Sequence, residues 1–166
     1  MRASRLFLML SIALPFFALL PAEVVAQKYS VSVTRKEQNF YEVTASRLFI
    51  ETRYCYAYVY FEDSLLDVGA AKIHFLGSKD SCDVAAYYRS ATIKPGKYAV
   101  TVSRKDDNLY EIFGANIILR TAICLELALG EDAVLNWSAP GFGRLYFPNS
   151  KTDCMVESAL TRRATP

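Results

Sequence analysis

Thr52-Arg-Tyr-Cys-Tyr-Ala-Tyr-Val-Tyr60 and Thr121-Ala-Ile-Cys-Leu-Glu-Leu-Ala-Leu129 stand 69 residues apart and hold the same place in two copies of a longer pattern. The second segment is rich in helix formers, whereas the first is aromatic and β-branched, the composition of a strand. Homologous copies share a fold, so both segments are read as strand. Alternation then puts Tyr54, Tyr56, Tyr58 and Tyr60 on one face, and Ile123, Leu125, Leu127 and Leu129 on the corresponding face of the second copy. That face is expected to pack against something, and the cysteine and small residues take the opposite face.

The pattern extends well beyond these segments. Residues 29–66 align with 98–135 without a gap, and 13 of the 38 positions are identical, among them Arg35/Arg104, Lys36/Lys105, Asn39/Asn108, Tyr41/Tyr110 and Cys55/Cys124. After three extra residues in the second copy, 72–84 align with 144–156 and share five more identities, including Cys82/Cys154. Composition alone would give roughly three identities over the whole alignment, so a duplication is inferred.

Ahead of the first copy come Arg2 and Arg5, an apolar run over 6–20 broken by Ser11 and Pro15, and Val24-Val25-Ala26. This is the layout of a cleaved secretory signal peptide over residues 1–26. The run is shorter than the ~20 residues a span needs, so no stable membrane span is expected after cleavage. Losing Arg2, Arg5 and Glu23 leaves 17 of 19 basic and 16 of 17 acidic side chains. So even a balance argues against nucleic acid as the partner.

Four cysteines allow three pairings. A unit that once stood alone could close its own bridge, which favours Cys55–Cys82 and Cys124–Cys154 over a pairing swapped between copies. Widely spaced cysteines and one histidine, His74, do not make a zinc site, and no cofactor is expected. Around the cysteines, short strands are expected at 29–34, 40–43, 48–52, 65–68, 73–76 and 83–88, with a turn over 35–39, and the series recurs in the second copy. The predicted fold is all-β: two tandem homologous small β-barrel or β-roll repeats, 27–92 and 98–166, each closed by one disulfide and joined by a short junction at 93–97.

The repeat also filters the chemistry. His74 faces Tyr146 in the alignment, so no histidine mechanism is common to both copies. Glu62-Asp63 and Glu131-Asp132 recur, but neighbours on a strand point to opposite faces, which favours a turn-capping role over acid and base acting on one bond. Ser78-Lys79 and Ser150-Lys151 sit in polar turns, where a lysine is not desolvated enough to serve as a base. Asn136-Trp137-Ser138 fits a glycosylation acceptor, which matters only in a eukaryotic secretory route.

The expected function is therefore a non-enzymatic binding protein, secreted or periplasmic, that meets a protein or glycan partner. Its candidate contacts are the tyrosine row Tyr54, Tyr56, Tyr58 and Tyr60, with Arg35 and Arg104 as basic points beside the turns. Tyrosine suits an interface because its ring is apolar and its tip hydrogen-bonds. The other reading of the row is packing between the copies. The alternatives in function are a cell-envelope hydrolase using Glu62/Asp63 or Ser78-Lys79, and an inhibitor of a cell-wall hydrolase.

Overall fold

The computed structural model describes residues 27–164 and Pro166; the expected signal peptide, 1–26, lies outside them. The described residues form no helix and twelve strands: β1 (Lys28–Glu37), β2 (Phe40–Val43), β3 (Leu48–Arg53), β4 (Glu62–Asp67), β5 (Lys72–Phe75), β6 (Ser81–Ser90), β7 (Gly96–Asp106), β8 (Leu109–Ile112), β9 (Ile117–Ala122), β10 (Leu129–Trp137), β11 (Gly143–Phe147) and β12 (Thr152–Arg163). Every ladder is antiparallel. β1 pairs with β2, β2 with β3, β3 with β6, β6 with β5, β5 with β4 and β4 with β1, so six strands close on themselves. The pairings β7–β8, β8–β9, β9–β12, β12–β11, β11–β10 and β10–β7 close the other six in the same order. Closure leaves few bare edges, which is how small β folds avoid edge-to-edge association.

A barrel of this size is filled by its inward side chains. Val33, Tyr41, Ile50, Leu66, Ile73 and Phe75 fill the first. Val102, Tyr110, Leu119, Leu135, Leu145 and Phe147 fill the second. Cys55–Cys82 and Cys124–Cys154 are both formed, the pairing favoured from the sequence.

The barrels are joined by a ladder between β6 and β12, with Leu160 opposite Ser90 and Arg163 opposite Tyr87. Phe40, Phe49, Ala86 and Tyr88 meet Leu109, Ile118 and Leu160 beside this seam in a third apolar cluster. The tyrosine row is not part of the seam, so packing between the halves is not what it does. β1 also runs three residues further than expected: the 35–39 turn shrinks to Gln38-Asn39, and Arg35, Lys36 and Glu37 belong to the strand. A bulge at Lys36, repeated at Lys105, bends each hairpin there.

Gly143 shows how tightly the second barrel is packed. A Cβ there would stand 2.9 Å from the Trp137 ring and 2.9 Å from Val156 Cβ, and both neighbours are buried. Gly143→Ala is expected to cost about 1–3 kcal/mol by overpacking. The midpoint of urea unfolding should fall accordingly, and an unchanged midpoint would mean that the indole moves aside freely.

Candidate functional site

The segment expected to be a strand over 52–60 leaves the sheet at Arg53. Residues 54–60 join no ladder and form a strap over one end of the first barrel, extended after Tyr54. A left-handed corner begins it at Tyr54, with φ 51, and another ends it at Phe61, with φ 50. The chain is turned off β6 at the first corner, which explains why alternation persists without pairing. The strap's inner side is Cys55, Ala57 and Val59, all buried in the first core.

Three residues that recur in both halves hold the strap down. Asn39 Oδ1 accepts the Cys55 N–H at 2.7 Å, Tyr41 Oη donates to the Ala57 carbonyl at 2.9 Å, and the Arg35 N–H donates to the Val59 carbonyl at 2.9 Å. The second half repeats the arrangement over 123–128. There Cys124 N–H donates to Asn108 Oδ1 at 3.1 Å, Tyr110 Oη to the Glu126 carbonyl at 2.7 Å, and Arg104 N–H to the Ala128 carbonyl at 2.8 Å. Asn39 and Tyr41 were missed as site residues, although their identity with Asn108 and Tyr110 was the available signal.

Tyr54, Tyr56, Tyr58 and Tyr60 are 74–88% exposed, and Ile123, Leu125, Leu127 and Leu129 are 73–89% exposed. This exposure overturns one of the two readings of the face, packing between the copies: the cysteine of each strap is drawn inward by its bridge, so the alternate, bulky set is turned outward. Phe61 extends the tyrosine row and meets Tyr60 edge-on at 4.5 Å between ring centroids.

The basic residues separate into unlike pairs. Arg35 lies over the Tyr58 ring, its Cζ 5.4 Å from the centroid, and its Nε donates to the Glu37 carbonyl. Arg104 is held by its own turn, with Nη2 3.0 Å from Asp107 Oδ1. Lys36 pairs with Glu42, whereas Lys105 crosses the seam to Glu51. The remaining suspects are structural in their contacts. Glu62 Oε1 accepts the N–H groups of Gly77 and Ser78 at 2.9 Å each, capping the turn that holds Ser78-Lys79, and His74 is a half-buried residue of β5 opposite Leu65. Among the described residues, no cluster of three or more His, Cys, Asp or Glu could hold a metal ion, and no helix is long and apolar enough to cross a membrane.

Two consequences can be measured. Ile123 holds φ 49 at a corner where its side chain is 89% exposed, and left-handed backbone penalises a β-branched residue. Ile123→Gly is expected to raise stability by about 1 kcal/mol, seen as a higher melting temperature. Burial, offset in part by Arg35, lifts the Tyr41 hydroxyl from 10.0 to about 12, and burial raises Tyr110 in the same direction. The unfolded tyrosine ionises first, so the stability these groups add is complete below pH 10 and is lost as pH rises toward 12. Melting temperature should fall across that window, and Tyr41→Phe should fall less steeply than the native protein; equal slopes would place the alkaline sensitivity elsewhere.

No family model, curated protein or solved structure matches the chain.

Proposed function

We propose that this chain is an exported, non-enzymatic binding protein whose strap over 54–60 is the contact face for a partner protein. One observation carries the reading: five aromatic side chains, Tyr54, Tyr56, Tyr58, Tyr60 and Phe61, stand 56–88% exposed in one contiguous row on backbone fixed by a disulfide and three hydrogen bonds. Large exposed apolar patches on small proteins mark interaction surfaces. Phe61 stands at the position where the second half has Gly130, so the first strap carries a fifth exposed ring where the second has none.

Export is supported by the two disulfides, which suit an oxidising compartment, and by the basic start and apolar run before residue 27. The hydrolase alternative has less behind it. Its best carboxylate, Glu62, is already engaged by two backbone amides, and Lys79 stands in an exposed turn.

The test is crosslinking capture by the tagged mature protein, from envelope or medium, beside the variant Tyr56→Leu/Tyr58→Leu/Tyr60→Leu. These substitutions install the residue type of the second strap, so the fold should survive. A partner held by the native protein and lost by the folded variant is expected. A partner set identical in both would remove the strap from the binding site.

A further inference from the structure

The two edges of the first strap are unlike. Cys55, Ala57 and Val59 turn their backbone polar groups to β1, β2 and the tip between them, where Asn39, Tyr41 and Arg35 meet them. In an extended chain the N–H and C=O of one residue point to the same side, and successive residues point to opposite sides. The groups of Tyr56 and Tyr58 therefore face the other edge. Among the described residues no hydrogen bond uses the N–H or C=O of either residue, and both residues are largely exposed. The strap is thus an edge strand in everything but a partner: its inner face is buried, one edge is satisfied, and the other presents donors and acceptors in the strand repeat.

We propose that an extended segment of the partner protein adds to this bare edge as a β-strand, pairing with the backbone of Tyr56 and Tyr58. The inference rests on the binding function proposed above and names the chemistry of its partner. Bulky apolar residues at alternate positions of that segment would lie beside the tyrosine rings as cross-strand pairs. Its charge follows from Arg35, which lies over the Tyr58 ring and has no carboxylate within ion-pair distance among the described residues, whereas Arg53 faces Asp83 across the β3–β6 ladder. The segment therefore carries aspartate or glutamate. The area suffices: a buried tyrosine contributes ~150–250 Å², so four of them reach roughly the 800 Å² per partner of a stable interface. The second strap has the same free edge at Leu125 and Leu127, but Arg104 is neutralised by Asp107 and Lys105 by Glu51, so it lacks the cationic flank.

The experiment selects twelve-residue peptides from a random display library on the disulfide-bonded mature protein. The enriched peptides are then titrated against the native protein, Tyr58→Ala and Tyr58→Pro. Both variants lose the ring, but only proline also removes the edge N–H and puts its own ring in the way of the added strand. Enriched peptides should alternate apolar residues with Asp or Glu, bind Tyr58→Ala more weakly than native, and bind Tyr58→Pro at least tenfold more weakly again. Equal affinities for Ala and Pro would overturn strand addition and leave the exposed rings as the contact. Affinities unchanged in both variants would remove the strap itself, and so would failure of the library to enrich any peptide. Should Tyr58→Pro fail to fold, amide exchange in the native complex decides: protection of the Tyr56 and Tyr58 N–H groups supports the added strand, and free exchange overturns it.

Discussion

Replacing Cys55 and Cys82 together by alanine is expected to destabilise the protein by about 3–4 kcal/mol. The bond closes a loop with a sequence separation of 27, and a loop of that length removes roughly this much entropy from the unfolded chain. It also does something local, because Cys55 is the first inward residue of the strap and is fully buried. Without the bond, Asn39, Tyr41 and Arg35 still hold the strap, so the folded variant should keep its barrel and bind its partner less well. Urea unfolding with and without reductant measures the first effect, and affinity at a temperature where the variant is folded measures the second. A loss of stability with full affinity would show that the hydrogen bonds alone fix the strap. Cys124–Cys154, with a separation of 30, is expected to contribute a similar amount.

The second large effect is expected at the seam. Lys105 Nζ lies 2.8 Å from Glu51 Oε2 and donates to Tyr88 Oη at 2.9 Å, while Tyr88 Oη donates to the same carboxylate oxygen at 2.6 Å. Tyr88 is almost wholly buried, and the two charged side chains are mostly covered. Glu51→Ala removes the acceptor from both donors, and should cost about 2–3 kcal/mol because a covered ammonium and a buried hydroxyl lose their partner. Glu42→Ala is the internal control. It breaks the Lys36 ion pair at 2.7 Å, in a more exposed setting, and should cost less than about 1 kcal/mol. A double-mutant cycle between Glu51 and Lys105 would isolate their coupling, and a value no larger than that of Lys36 with Glu42 would mean that the seam is held by its apolar cluster alone.

Most of the strands could be read in the sequence because their alternation is set by local geometry. The disulfides could be read because each pair of cysteines falls within one half. The strap shows where such reading stops. Period-2 alternation separates Tyr54, Tyr56, Tyr58 and Tyr60 from Cys55, Ala57 and Val59, but does not say which set is inside. Apolarity points to the tyrosines and leucines; the inward signal is the cysteine, whose bridge to Cys82 must cross the interior and so fixes which set faces in. The helix formers of 121–129 were overruled because Cys124 is bridged to Cys154 and Asn108 and Tyr110 hold an extended backbone. The unlike fates of Lys36 and Lys105 could not be read at all, since they depend on the seam, which brings Glu51 of one half to a bulge of the other.

The same seam imposes a timetable on a chain made from its N-terminus. All six strands of the first ring, β1 to β6, are available before β7 exists, so that ring can close on nascent chain. The second ring has no such freedom, because β12 supplies the closing partner for both β9 and β11, and it also supplies the seam partner of β6. One late strand therefore completes two tasks, and until β12 has been made the β6 edge at residues 87–90 and the apolar side chains beside the seam stay uncovered, as the molecule's most aggregation-prone interval.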